Sequence, residues 1–109
     1  MSIKGVPTDQ ARPLQDLIVA GEHTVASRSL ACQQTADLTL FAFARGESVS
    51  EERYPSDTAY VCLEGTLVVS RDEAQTLVPA GSCLKVEAGV GHAVAGAGDG
   101  AVKFLQVNA

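Results

Sequence analysis

Tryptophan is absent from this chain, and only five of its 109 residues are aromatic, three phenylalanines and two tyrosines. So sparse a set excludes an aromatic platform for stacking single-stranded nucleic acid. Positive charge is also scarce. Eight Lys and Arg face thirteen Asp and Glu, for a net charge of -5 and a pI near 4.8. No basic run or stripe appears, which argues against nucleic acid and anionic membranes as partners. No apolar stretch approaches the roughly 20 residues that cross a bilayer. The N-terminus MSIKGVPTDQARPLQDLI lacks the charged-then-apolar plan of a signal peptide, so a cytoplasmic location is expected. Cysteine is limited to Cys32, Cys62 and Cys83, with no CxxC spacing. An odd, scattered set predicts free thiols in a reducing compartment, each a small buried hydrophobe.

What is present is apolar: 46% of the residues are hydrophobic. That places the chain among globular proteins, with a length suited to one domain. Residues 1–22 read as an N-terminal arm with a first short element, and residues 23–109 as a β-domain. Within the arm, PLQDLIVA (13–20) fits either one helical turn or a short strand, being too short for periodicity to decide. HTVASRSLAC (23–32) alternates apolar and polar residues. DLTLFAFAR (37–45) alternates more cleanly, with Leu38, Leu40, Ala42 and Ala44 on one face and Thr39, Phe41 and Phe43 on the other. Both faces are apolar enough to need covering. Residues 47–54 form a more polar strand that Pro55-Ser56-Asp57 breaks. Residues 58–71 read as a hairpin turning at Gly65. SCLKVE, HAVAG and a last strand within 98–108 follow, with Gly or Pro between them. Eight or nine short strands without a competing helical pattern predict an all-β sandwich or barrel.

The spacing of the turns resembles the cupins, small double-stranded β-helix or jelly-roll barrels. Their first motif, Gly-x5-His-x-His-x3,4-Glu-x6-Gly, is opened here by Gly46 and closed by Gly65. Glu52 and Tyr54 stand at its histidine positions and Thr58 at its glutamate position. In the second motif, Gly-x5-Pro-x-Gly-x2-His-x3-Asn, Gly81 opens, Glu87 replaces the proline, Gly89 matches, His92 matches, and Gly96 replaces the asparagine. YVCLEGTLVV resembles the hairpin common in that family. The resemblance implies a site that once held a metal through three His and one Glu. Only His92 of that set is retained, so no metal centre of the standard kind is expected.

The resemblance also selects the candidate site. If His92 points into the barrel, Glu52 and Tyr54 do too. Strand alternation groups them with Ser50 and sends Glu51 and Arg53 outward, while a one-residue shift would bring Glu51 and Arg53 inside. Thr58, Tyr60 and Cys62 share the face of the lost glutamate. Leu84 and Val86 share a face of SCLKVE and are assigned to the lining. The expected ligand pocket is therefore Glu52, Tyr54, Thr58, Tyr60, Cys62, Leu84, Val86 and His92. A carboxylate in such a barrel must be paired, protonated or metal-bound. Three readings follow: a Glu52–His92 hydrogen bond, a reach to solvent, or a reduced divalent-metal site with Tyr54 or Asp57 adding an oxygen. His92, oriented by Glu52, is the candidate general base. A Cys62–His92 nucleophile pair lacks any activating motif. His23, Arg53 and Asp57 read as surface groups.

The function expected from these residues is small-molecule binding in a barrel without a standard metal centre and without a cofactor. One alternative is a cupin-type isomerase, lyase or oxygenase working through His92 or a reduced metal site. Another is a dimerising domain. The resemblance implies a homodimer, and the two apolar faces of DLTLFAFAR point the same way.

Overall fold

Strand alternation and glycine-marked turns build nearly all of this chain. The computed structural model describes residues 2–72, 74–98 and 100–109. A single 3-10 turn, Leu14–Leu17, precedes β1 (Val25–Cys32), β2 (Asp37–Phe43), β3 (Ser48–Glu52), β4 (Thr58–Glu64) and β5 (Thr66–Arg71). These lead to β6 (Ala74–Pro79), β7 (Cys83–Val86), β8 (His92–Gly96) and β9 (Val102–Asn108). The strands form a five-stranded sheet, β1-β2-β9-β4-β7, and a four-stranded sheet, β3-β8-β5-β6. Every pairing is antiparallel. Two such sheets packed face to face make the jelly-roll expected from the strand series.

The β4–β5 connection shows why glycine closes the first motif. Gly65 adopts φ +77°, a left-handed conformation that a Cβ disfavours. A Cβ there would also stand 2.5 Å from the Ala101 carbonyl oxygen. Both the backbone angle and the approach of the Ala101 backbone demand a residue without a side chain.

The main core lies between the sheets. Phe43, Tyr60, Cys62, Leu67, Val69, Val78, Val86, Val102 and Phe104 are all nearly inaccessible there. Complete burial of one such side chain contributes about 1.5–3 kcal/mol. A second cluster lies on the opposite face of β2. Leu40 and Ala42 pack there with Leu30 of β1 and with Leu17 and Ile18 of the N-terminal segment. The 3-10 turn is pinned by two side chains reaching its carbonyls, Arg28 Nη1 to Leu17 O at 2.8 Å and Lys103 Nζ to Gln15 O at 2.9 Å. The second apolar face of β2, which suggested a dimer contact, is thus covered by the chain's own arm. Of the two conformations open to residues 13–20, the helical turn is found, at Leu14–Leu17, and the chain turns extended at Ile18.

The thiols correct one expectation. Cys62 is buried, but Cys32 and Cys83 are exposed. Both sit on β1 and β7, the edge strands of the larger sheet, where a side chain can face outward with no layer above it. Among the described residues, no helix is long and apolar enough to cross a membrane.

Candidate functional site

The site begins with an irregularity in β3. This strand pairs with β8 through Val49↔Val94 and Glu52↔His92, with a register shift between Val49 and Glu52. Three steps on β3 therefore match two on β8, which is a β-bulge at Ser50–Glu51. The extra residue lets Val49 and Glu52 both face the barrel interior. It leaves Ser50 and Glu51 exposed. Ser50 does not share the inner face with Glu52 as plain alternation predicts; Val49 does.

Beyond the bulge, the 53–57 loop is stitched to the turn before β8. The Gly89 amide donates to the Tyr54 carbonyl at 2.8 Å. Arg53 Nη1 donates to the Gly89 carbonyl, and the Ala88 amide donates to Asp57 Oδ1 at 2.8 Å. Arg53 also lies 3.7 Å from Glu51 on the outer surface, and Lys85 lies 3.9 Å from Asp57. Asp57 is thus a structural latch for this loop and adds no oxygen to the interior.

His92 is buried, and both its ring nitrogens are engaged. Nδ1 is 3.0 Å from the Val90 carbonyl, which can only accept, so Nδ1 carries a proton. Nε2 is 2.6 Å from the Tyr60 hydroxyl. Tyr60 is pushed well above the ordinary tyrosine pKa because burial penalises its phenolate, and the proximity of Tyr54 and Glu52 adds to the effect. Tyr60 therefore keeps its proton and donates it to Nε2. This disposes of the expected Glu52–His92 hydrogen bond. The two residues face each other across the ladder, but imidazole has no nitrogen left for the carboxylate.

These groups open onto a cavity of about 220 Å³ between the sheets. Phe41, Phe43, Tyr54, Tyr60 and Phe104 line it, with Val49, Val94, Glu52, His92 and Gln106. Every aromatic residue of the chain is in that set. Phe41 and Phe104 stack with centroids 5.1 Å apart and planes at 16°. Phe43 and Tyr60 meet Phe104 edge-on at 5.2 and 5.7 Å, and Tyr54 and Tyr60 flank the His92 ring at 5.9 and 5.6 Å. Gln106 Nε2 donates to Asn108 Oδ1 at 2.9 Å, and Asn108 Nδ2 donates to Thr58 Oγ1 at 2.7 Å.

Of the eight predicted lining residues, the structure brings Glu52, Tyr54, Tyr60 and His92 to the cavity. Thr58, Cys62, Leu84 and Val86 are not part of its wall. Cys62 and Val86 belong to the packed core and Leu84 lies against it, while Thr58 is buried with its hydroxyl bonded to Asn108. Alternation chose their face correctly but carries no information about depth along the barrel. Cys62 is held by carbonyls, the nearest being Gly65 O at 3.4 Å. Burial raises its thiol pKa, partly offset by backbone hydrogen bonds from Leu67, Glu64 and Leu63. With His92 engaged elsewhere, no Cys–His pair forms. Phe41, Phe43, Val49, Val94, Phe104 and Gln106 were not singled out as lining. The clean alternation of β2 had already set Phe41 and Phe43 apart from the face that the arm covers.

The donors present do not fit the metal centre that the motif spacing implies. Among the described residues, no group of three His, Cys, Asp or Glu side chains could hold an ion. The one histidine in the site offers no free lone pair while Tyr60 donates to it.

The sequence matches the cupin domain family over residues 39–108. In structure the chain is similar to a cupin superfamily protein from Desulfitobacterium hafniense, with a TM-score of 0.94 and 39% identity over 99% of this chain and 97% of that one. It is also similar to a conserved protein of unknown function from Streptococcus pyogenes, with a TM-score of 0.90 and 21% identity over 99% and 93% of the two chains. A Thermus thermophilus protein shares the fold at a TM-score of 0.79 and 24% identity, over 90% and 94%. No curated protein matches the sequence. The chain belongs to the cupin family.

Proposed function

We propose that this cupin binds a small, flat organic molecule in its barrel, without the three-His, one-Glu metal centre of the family. One observation carries the reading: all five aromatic residues of the chain converge on a single cavity of about 220 Å³. Rings gathered by chance into a core would pack without a void, since interiors are close-packed. A dry cavity of about 150 Å³ already accepts benzene, so this one has room for a single ring with a substituent. Apolar walls with a few polar groups, here Glu52, Tyr54 and Gln106, are the usual makeup of a ligand site. The engagement of His92 by Tyr60 favours binding over acid–base turnover, because the lone pair a general base needs is already in use.

The test is a binding titration with single-ring compounds such as phenol and benzyl alcohol, followed by thermal shift. A ligand at 100 times its Kd should stabilise the chain by about 2.7 kcal/mol. Val49→Phe, which projects a ring into the cavity from the partly exposed β3, should retain the fold and lose that response. A response that persists in Val49→Phe would place the binding elsewhere. No response in the wild type would remove the proposal.

A further inference from the structure

We propose that the cavity selects a small organic cation, an ammonium group carried on a flat ring. This rests on the reading that the cavity binds a small ring, and it adds the sign of charge preferred.

Glu52 is the one carboxylate in the cavity wall, and among the described residues no lysine or arginine lines it. Glu52 is half-buried, yet no hydrogen bond or ion pair joins its carboxylate to another described residue. Two cations of the neighbouring loop and strand are committed outside. Arg53 turns to Glu51 and the Gly89 carbonyl, and Lys85 lies beside Asp57. A partly desolvated carboxylate without a partner is costly, and an entering cation would relieve that cost.

His92 does not pair with Glu52. Its Nδ1 proton is fixed by the Val90 carbonyl. Its Nε2 is turned to the Tyr60 hydroxyl, so neither ring nitrogen is directed at Glu52. The aromatic walls act in the same direction, because the faces of Phe and Tyr rings are electron-rich and attract cations. A carboxylate ligand would meet Glu52 across a small space with no positive group to offset its lost hydration.

Benzylamine, benzyl alcohol and benzoate share a ring and are similar in size, so they isolate charge. We would titrate each into the purified full chain by calorimetry at one ionic strength and neutral pH. Benzylammonium should bind roughly tenfold more tightly than benzyl alcohol, with benzoate weakest. Glu52→Gln should bring benzylammonium to the level of benzyl alcohol. Glu51→Gln removes the same charge from the adjacent, outward-facing residue and should leave the preference intact. That control separates a local carboxylate from the general pull of a chain with net charge -5.

Equal binding of the three rings, or tightest binding of benzoate, would overturn the charge preference while ring binding stood. So would equal loss of the cation in Glu52→Gln and Glu51→Gln. The wild-type comparison decides the first two outcomes without any variant. If no ring binds, the cavity-binding reading fails and the charge preference falls with it.

Discussion

The Tyr60 hydroxyl lies 2.6 Å from Nε2 of His92, with both residues buried at the wall of the cavity. This contact decides how the one histidine kept from the family's metal motif behaves. Tyr60→Phe preserves the ring and removes the donor, leaving a buried nitrogen without a partner. That should cost about 1–3 kcal/mol, read as a lower midpoint in urea unfolding.

The same hydroxyl sets an alkaline limit. Tyr60 has a raised pKa in the folded state, so it holds its proton after the unfolded chain has lost it. Above the ordinary tyrosine value of 10.0, the unfolded state binds fewer protons, and stability falls as pH rises. The contribution is intact below that pH. Unfolding midpoints measured from pH 8 upward should decline more steeply in wild type than in Tyr60→Phe; parallel declines would refute the assignment.

Divalent manganese, iron, nickel and zinc should leave Tm unchanged, since His92 offers no free lone pair and no cluster of three donors exists among the described residues. A saturable rise at stoichiometric metal, lost in His92→Ala, would contradict this.

Asp57→Ala should cost about 1 kcal/mol, the scale of a charge-assisted hydrogen bond near solvent, by releasing the Ala88 amide. Because Asp57 latches the 53–57 loop to the turn before β8, amide exchange should accelerate at Ala88 and Gly89. Exchange left unchanged there would show that the backbone bond between Gly89 and Tyr54 suffices.

Deletion of residues 2–20 uncovers Leu30, Leu40 and Ala42. The shortened chain should self-associate or lose stability, as seen by sedimentation and thermal melting. A stable, monomeric product would mean that the arm covers nothing of consequence.

Much of this architecture was legible beforehand. The alternation of DLTLFAFAR separated the face bearing Phe41 and Phe43 from the face bearing Leu40 and Ala42, though it did not say which of them lines the barrel. Gly65 announced its turn because only glycine tolerates that angle so near another backbone. Thr58, Tyr60 and Cys62 were assigned correctly to one face. Depth was the missing quantity. Residues two apart on a strand share a face, yet one can border a cavity while the other is sealed in packing, as Tyr60 and Cys62 do. Nor does local pattern say what crosses from a different strand. The partner of His92 proved to be Tyr60 on β4 rather than Glu52 directly opposite it on β3. The cover of β2 came from an arm too short to announce its conformation.

The bulge at Ser50–Glu51 has a chemical consequence. Were β3 regular from Val49 onward, the inward positions would fall to Glu51 and Arg53, and a guanidinium would enter the barrel. One additional residue in an edge strand thus decides which charged side chains face the barrel interior. A relative with the same residues but an unbroken ladder would turn both Glu51 and Arg53 inward in place of the lone Glu52 carboxylate, so strand phase sets the charge of the interior together with residue identity.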